Sequence, residues 1–169
     1  MLEEAKSEQG GGYSESDPQL SQKFHEAGFG AKSGAAPGAP LFFHPLEAAY
    51  LAKIGKSGFK GKTLAQFTSS QKKKDKLFPF AFEVYSRVRS NGRQVRPFLG
   101  NIKYLRAYSP GVGRNEDRPS MVICCLPGEP SVKSIAAHIK VAHQARLDLV
   151  IACGSQKEMK FYKIAAFNF

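Results

Sequence analysis

The spacing of apolar side chains in the second half of the chain changes from one typical of a helix to one typical of strands. Residues 78–88 carry an apolar side chain every three or four positions, and Asn91-Gly92 predicts the end of that helix. Two continuous apolar runs, at 121–126 and 149–153, are typical of strands buried on both faces of a sheet. Between them, Ser131 is placed to cap a helix with an apolar stripe on one side.

Weaker strand patterns complete this half of the chain. Residues 94–96 and 102–108 precede the first buried strand, and 159–164 follow the second, each next to Gly or Pro residues that favour turns. The predicted order for residues 93–169 is therefore β-β-β-α-β-β, a compact α/β domain. Residues 41–92 are predicted to form a small N-terminal subdomain of helices and strands, which includes the linking helix at 78–88.

Residues 1–40 show no such period. They are rich in Gly, Ser, Pro and acidic residues, and their few apolar side chains fit neither a helical nor a strand spacing. A segment of this composition buries too little apolar surface to offset the entropy of ordering the chain. The sequence therefore predicts a flexible tail over residues 1–40, with a helix beginning near Leu41.

Positive charge is concentrated after this segment. The whole chain has a formal net charge of +11. Residues 1–40 hold six acidic and three basic residues, which leaves 22 basic against 8 acidic residues in 41–169. Such an excess attracts polyanions, because Lys and Arg that contact phosphates release condensed counterions. Charge alone leaves RNA, DNA and anionic membrane surfaces as candidate partners.

The sequence disfavours several classes of protein. No run approaches the ~18 apolar residues of a membrane-spanning helix, and the acidic N-terminal segment lacks the features of a signal peptide, so we expect a cytoplasmic protein with no membrane partner. The three cysteines fit neither a disulfide framework nor a metal-ligand spacing. His138 and His143 lie five residues apart rather than the four that align zinc ligands on a helix. No metal and no cofactor are predicted.

Basic residues cluster between positions 53 and 97, where twelve of them accompany two acidic residues. Lys72, Lys73 and Lys74 form one run, and Arg87 lies on the polar face of the helix at 78–88. Any one of these side chains is typical of a solvated surface, but their clustering favours a surface that binds RNA.

Four segments taken together resemble the tRNA-splicing endonuclease family. They are Phe43–Leu51, Glu83–Pro97, Leu105–Gly111 and Ile139–Ala152. No single segment is diagnostic, but they follow one another in the order that the family has. The resemblance implies a C-terminal nuclease domain with the element order predicted above, preceded by a small N-terminal domain.

The resemblance also implies a set of catalytic positions. The family cleaves pre-tRNA without an obligatory metal: a Tyr deprotonates the ribose 2′-hydroxyl, a His protonates the leaving oxygen and a Lys stabilises the transition state. These positions fall on Tyr108, on Arg118 or its neighbours, and on Leu147 or Asp148. Arginine does not release a proton near neutral pH, and leucine carries no charge. The expected role is therefore that of the non-catalytic, structural beta-type subunit of a heterotetrameric archaeal tRNA-intron endonuclease.

A subunit of this kind implies two partners, pre-tRNA and a catalytic endonuclease subunit, with two copies of each subunit in the assembly. Lys140 falls where the resemblance implies a cation that helps to hold a bulged base, and Arg146 lies on the neighbouring turn. The last strand with its apolar extension is the predicted interface, because an uncovered apolar edge strand promotes aggregation. The interface candidates are Phe161, Tyr162, Ile164, Phe167 and Phe169.

Two other functions are compatible with the sequence. One is a catalytically competent RNA endonuclease in which Tyr108 works with a carboxylic acid such as Glu116 or Asp117. Arg114 and Arg118 next to these carboxyls favour their ionised form, which counts against a proton donor. The other is a free-standing basic RNA-binding module, which a monomeric state in light scattering would favour over an obligate subunit.

Overall fold

The computed structural model describes residues 1–7, 10–15, 17–34, 39–98, 101–111 and 118–165. These residues divide into two compact units, the first ending at Phe78 and the second beginning at Pro79.

The first unit is built on a four-stranded antiparallel sheet. Its strands are β1 (Glu3–Ser7), β2 (Gly10–Glu15), β3 (Ala31–Lys32) and β4 (Leu41–Phe43), in the spatial order β1-β2-β4-β3. Its helices are α1 (Pro18–Glu26), α2 (Pro45–Lys53) and α3 (Leu64–Lys74). The residue before each helix accepts a hydrogen bond from a backbone N–H of the first turn, which explains where each helix begins.

The prediction of a flexible tail over residues 1–40 is wrong for the described part of that segment. The elements β1, β2, α1 and β3 all lie within it, and Leu2, Tyr13, Phe24 and Phe29 are buried. Tyr13 lies on β2 and Phe24 on α1, whereas Leu2 and Phe29 lie just outside the four elements, so no periodic stripe marks these buried side chains in the sequence. Composition was therefore a poor guide to order in this segment.

An aromatic cluster joins this segment to the later helices of the first unit. Phe67 on α3 is fully buried and stacks on Phe59, with the ring centroids 4.1 Å apart. Tyr13 on β2 packs edge-on against these two rings, at 5.6 Å from Phe59 and 5.1 Å from Phe67. Aromatic pairs in such geometries contribute ~0.5–1.5 kcal/mol beyond the burial of their area. Strand β2 is therefore part of the core of this unit.

A second difference from prediction concerns the start of α2. The sequence predicts a helix from residue 41, whereas β4 comes first and α2 begins after His44. The Nδ1 of His44 accepts a hydrogen bond from the backbone N of Leu46 (3.2 Å), and the carboxylate of Glu47 accepts one from the backbone N of His44 (2.9 Å). This reciprocal cap fixes the first turn. Glu47 also accepts from the backbone N of Gly30 (3.2 Å), which links α2 to the residue before β3.

Acidification is expected to destabilise the first unit through His44. Burial lowers the pKa of His44 from 6.5 to about 4. Because the unfolded chain takes up a proton that the folded chain rejects, the full stability is present above pH 6.5 and decreases as the pH falls toward 4. We expect a loss of about 2 kcal/mol by pH 5, measured by chemical denaturation at pH 7 and pH 5. His44→Asn keeps a cap acceptor that does not titrate, and an equal loss in that variant would assign the effect to other groups.

The second unit contains a five-stranded mixed sheet. Along the chain, one helix precedes the strands and another lies between the third and the fourth strand. The helices are α4 (Phe78–Ser90) and α5 (Val132–Ala145), and the strands are β5 (Val95–Phe98), β6 (Asn101–Ala107), β7 (Met121–Pro127), β8 (Asp148–Gly154) and β9 (Met159–Ile164). The spatial order is β5-β6-β7-β8-β9, with β7 and β8 parallel and the other pairs antiparallel. This confirms the predicted α/β class and the β-β-β-α-β-β order.

From Pro79 onward the linking helix α4 belongs to the second unit, whereas its sequence pattern predicts a place in the subdomain of residues 41–92. Polar contacts explain the difference. In the turn between β8 and β9, the side-chain amide of Gln156 donates to the carbonyl of Pro79 (2.9 Å), and Arg87 donates to the carbonyl of Gln156 (3.1 Å). Both the first turn and the C-terminal half of α4 are thus held to that turn.

The core of the second unit lies on both faces of the central strands. On the face covered by α5, the buried cluster is Val122, Cys124, Ala142, Leu149, Ile151 and Cys153. Side chains alternate along a strand, so Leu105, Ile123, Cys125 and Ala152 project from the opposite face, and they are buried too. Burial on both faces explains why residues 121–126 and 149–153 are continuously apolar.

Candidate functional site

The three positions that the resemblance singles out come together at one end of the five-stranded sheet. Ala107 at the end of β6, Met121 at the start of β7 and Asp148 at the start of β8 are in register across the sheet. Ser120 extends this pairing, because its backbone N donates to the carbonyl of Ala107 (2.9 Å) and its carbonyl accepts from the backbone N of Asp148 (3.4 Å). Tyr108, Arg118 and Leu147 lie within three residues of these three strand ends. We call this group the sheet-end site.

The side chain of Tyr108 is packed into the fold. It is 4% exposed, its backbone N donates to the carbonyl of Gln94 (3.0 Å), and its own carbonyl accepts from Arg93 (3.2 Å). The guanidinium of Arg96 lies over its ring, 5.6 Å from the centroid. Tyr108 therefore has the surroundings of a packed aromatic at the end of a strand.

The other two positions offer no proton donor. Arg118 is exposed, and Leu147 packs at the margin of the apolar cluster under α5. A guanidinium keeps its proton at neutral pH, and an alkyl side chain has none to give. Neither Arg118 nor Leu147 therefore supplies a proton donor to the sheet-end site.

A cleft of about 310 Å³ opens beside Leu147. It is lined by apolar residues of α5, β8 and β9 and by His143, Asp148 and Lys163. The ammonium of Lys163 lies 2.7 Å from the carboxylate of Asp148, and His143 is exposed on the last turn of α5. The cleft therefore brings an imidazole and an ammonium close to the sheet-end site. We call it the His143 cleft.

Sequence reasoning missed the His143 cleft because its polar residues are far apart along the chain. Lys163 reaches Asp148 only because β9 pairs antiparallel with β8, which places Val150 opposite Lys163. His143 was interpreted only as a surface or core histidine, since its spacing from His138 fits no metal site. The signal available in the sequence was that the last two predicted strands could pair with each other, which would bring their side chains together.

The predicted RNA-binding residues of the second unit have different surroundings. Lys140 is exposed on α5, and Arg146 is exposed and ends that helix in a left-handed conformation, with φ of 55°. Arg87 is bound within the unit, because its Nε donates to Glu83 (2.9 Å) and its Nη2 to the carbonyl of Gln156 (3.1 Å). Arg87 therefore has a structural role that the sequence analysis did not anticipate, while its contact with RNA stays a prediction.

Lys72, Lys73 and Lys74 are exposed on the last turn of α3, in the first unit. Positive charge at this end of a helix is favourable, because the backbone carbonyls there carry partial negative charge. Lys74 lies 3.8 Å from the carboxylate of Glu4, and both side chains are solvent-exposed, so this ion pair contributes little. The three ammonium groups are thus accessible to a polyanion.

The predicted interface residues lie on an edge of the sheet. β9 is the last strand in the spatial order, and its Phe161 and Tyr162 are 40% and 49% exposed, whereas Ile164 is partly buried. Phe167 and Phe169 lie outside the described residues. Within the described part of the chain, β9 pairs on one side only.

Other groups with reactive chemistry are built into the core. The hydroxyl of Tyr104 and the Nδ1 of His138 are 2.8 Å apart, and burial, with a smaller effect from Lys103, lowers the pKa of His138. Burial raises the pKa of the Cys124 thiol to about 12, so this cysteine is inert near neutral pH. Among the residues that the structure describes, no three or more His, Cys, Asp or Glu side chains are grouped to hold a metal ion.

In comparisons with known proteins, no family model matches the chain, and no curated protein sequence matches it. Along the described ranges, no helix combines the length and the apolar character needed to cross a membrane.

Proposed function

We propose that this chain is an RNA-binding, structural subunit of a tRNA-splicing endonuclease and that it positions a catalytic subunit on pre-tRNA. The observation that carries the proposal is the sheet-end site. The β-β-β-α-β-β order brings Tyr108, Arg118 and Leu147 to one end of the sheet, as the resemblance implies for a Tyr-His-Lys centre. Two of these three positions lack the chemistry of proton transfer and charge stabilisation.

The edge strand β9 supports the assembly part of the proposal. An edge strand offers backbone donors and acceptors to another strand, and Phe161 and Tyr162 add exposed apolar area beside them. Aromatic side chains are enriched among the residues that dominate binding energy at interfaces. The partner that fits this edge is the strand of a catalytic subunit of the same fold.

The RNA part of the proposal is supported by charge. The chain carries a formal charge of +11, and the exposed ammonium groups of Lys72, Lys73, Lys74 and Lys140 and the guanidinium of Arg146 are accessible. Phosphate contacts by such groups give an affinity that depends on salt but little on sequence. A structural subunit of a pre-tRNA enzyme needs this kind of binding.

A second candidate function has one specific observation in its favour. The His143 cleft places an imidazole and an ammonium next to Leu147, although neither group comes from the implied position. A catalytically competent endonuclease would use His143 as the acid and Lys163 as the electrostatic group, with Tyr108 as the base. The burial of Tyr108 counts against this function, because a base must reach the ribose 2′-hydroxyl.

Pre-tRNA cleavage decides between these functions. We expect no cleavage by the isolated chain and cleavage when the catalytic subunit is added. In the mixture, Tyr108→Phe is expected to change the rate by less than about threefold, whereas removal of a proton-transfer group costs ~10²-fold or more. Cleavage products are resolved on a denaturing gel.

His143→Ala and Lys163→Ala serve as controls in the same assay. Under the structural proposal both variants leave the rate of the mixture nearly unchanged. Cleavage by the isolated chain that is lost in Tyr108→Phe and in His143→Ala would reject the structural role and establish the enzyme.

A further inference from the structure

One carboxylate in the first unit is shared between two lysines. The carboxylate of Glu4 on β1 lies 3.7 Å from the ammonium of Lys62 and 3.8 Å from the ammonium of Lys74, with one lysine at each oxygen. Both distances are longer than those of hydrogen bonds. All three side chains are at least half exposed. Two surface cations therefore converge on a single anion.

Backbone pairing holds Lys62 beside Glu4. Leu2, just before β1, forms a parallel bridge with Phe59, and Phe59 forms an antiparallel bridge with Lys62. The backbone N of Leu2 also donates to the carbonyl of Gly58 (2.9 Å). The loop that carries Lys62 is thus tied by its backbone to the strand that carries Glu4.

Side-chain packing holds Lys74 on the same side of β1. Glu4 lies directly opposite Tyr13 in the antiparallel register, so these two side chains project from one face of the sheet. On that face Tyr13 packs edge-on against Phe67 of α3, and its hydroxyl accepts from the side-chain amide of Gln71 (3.4 Å). Lys74 follows Gln71 by three residues, which places the two on neighbouring positions of the helix surface.

The surroundings of Glu4 are strongly basic. Lys72 and Lys73 are exposed on the same turn of α3 as Lys74, and Lys76 is exposed just beyond the helix. The Glu4 carboxylate cancels one unit of this positive charge. An exposed ion pair contributes little to stability, so an external anion displaces the carboxylate at little cost.

We propose that Lys62 and Lys74 bind one phosphate of an RNA backbone, and that the carboxylate of Glu4 occupies this place until the phosphate displaces it. A phosphodiester carries the same charge as a carboxylate and also offers two anionic oxygens, so it fits the same two ammonium groups. Its binding releases counterions condensed on the RNA, a gain that the chain's own carboxylate does not give. Glu4 therefore lowers the affinity for RNA. The inference rests on the proposed function for the identity of the carrier, RNA.

The first test measures the affinity of the isolated chain for a short oligouridine by fluorescence anisotropy at physiological salt. Glu4→Gln is expected to tighten binding at least about threefold, because it removes a negative charge a few ångströms from the bound phosphate. The side chain of Glu4 is 58% exposed, so the substitution leaves the fold intact.

Glu26→Gln is the matched control, because it makes the same change of charge elsewhere in the first unit. Glu26 accepts from the side-chain amide of Gln22 (2.6 Å) on α1, and Gln22 in turn accepts from Lys32 (2.9 Å) on β3, at the opposite edge of the sheet from β1. Salt screens exposed charges that are far apart, so this control is expected to change the affinity less than about 1.5-fold. Equal effects of Glu4→Gln and Glu26→Gln would overturn the proposal.

The second test is a cycle of variants that separates a local effect from overall charge. Lys62→Gln with Lys74→Gln is expected to weaken oligouridine binding at least about threefold and to reduce its salt dependence by a slope of ~0.7, the value for one phosphate contact with a single strand. In this background Glu4→Gln is expected to change the affinity no more than Glu26→Gln does, since the phosphate that competes with Glu4 no longer binds there. A gain from Glu4→Gln that persists without the two lysines would contradict the proposal.

The outcomes distinguish a failure of this inference from a failure of the proposed function. Oligouridine binding that does not respond to Glu4→Gln would overturn the inference alone, whereas a chain that binds no oligouridine would overturn both the inference and the RNA part of the proposed function. Vesicles that contain phosphatidylserine test the other source of phosphate. Vesicle binding that responds to Glu4→Gln, without oligouridine binding, would overturn RNA as the carrier in favour of an anionic membrane surface.

Discussion

Deletion of residues 1–40 is expected to unfold the first unit. The deletion removes β1, β2, α1 and β3, and among the described residues strand β4 pairs with β2 and β3 alone, so it would keep neither of these partners. It also removes the buried side chains of Leu2, Tyr13, Phe24 and Phe29. The loss of one large buried side chain costs ~2–5 kcal/mol. The summed cost of losing four is therefore as large as the ~5–15 kcal/mol free energy of unfolding of a small domain.

Hydrogen exchange measures this effect locally. In the deletion variant we expect the backbone amides of α2 and α3 to lose their protection, while those of β6, β7 and β8 serve as a reference in the second unit. A milder matched pair is Tyr13→Ala and Tyr13→Phe: the first removes the ring that packs edge-on against Phe59 and Phe67, at a cost of ~3–5 kcal/mol, and the second retains it. Full protection of α2 and α3 after the deletion would restore the description of residues 1–40 as a tail.

If the proposed assembly with a catalytic subunit forms through β9, replacement of Phe161 and Tyr162 by Ser is expected to abolish it. Both side chains are more than a third exposed, so their loss leaves the stability of the isolated chain nearly unchanged. At the centre of an interface, an aromatic residue contributes ~2–4 kcal/mol, and the loss of two weakens binding by a factor of ~10² or more. The fraction of complex, measured by size-exclusion chromatography of the mixture, and the rate of pre-tRNA cleavage are expected to decline together.

Val132→Ser provides the control for this experiment. Val132 is also an exposed apolar residue, 84% accessible, but it lies at the start of α5 rather than on β9. It is expected to leave assembly and cleavage as they are. Equal behaviour of Val132→Ser and the β9 variant would contradict the assignment of β9 to the interface. A chain that stays monomeric with every candidate partner would favour the free-standing RNA-binding module.

The second unit was predictable because its core elements carry their own signal. The apolar runs at 121–126 and 149–153 are long enough to mark buried strands, and Ser131 caps the helix between them as predicted, with its Oγ accepting from the backbone N of Ser134 (3.2 Å). Burial on both faces of a strand requires apolar residues at every position. The α/β class therefore followed from local pattern.

The first unit was not predictable in the same way. Its strands in residues 1–40 are five, six and two residues long, and Gly10, Gly11 and Gly12 of β2 bring no side chain to the core. These strands are ordered through packing against Phe59 and Phe67, which lie far along the chain. By composition alone, a glycine-rich strand resembles a flexible segment. Only the tertiary contacts show that it packs against an aromatic cluster that is distant along the chain.

The sequence by itself determined the charge of the chain, the element order of its second half and the absence of the implied His and Lys at Arg118 and Leu147. Each of these depends on residue identity or on spacing within one element. Tertiary structure alone decided that residues 1–40 contribute to a core, that Lys163 meets Asp148 beside His143, and that Arg96 lies opposite Arg106. These depend on strand pairing, and pairing joins residues whose separation along the chain carries no periodic signal.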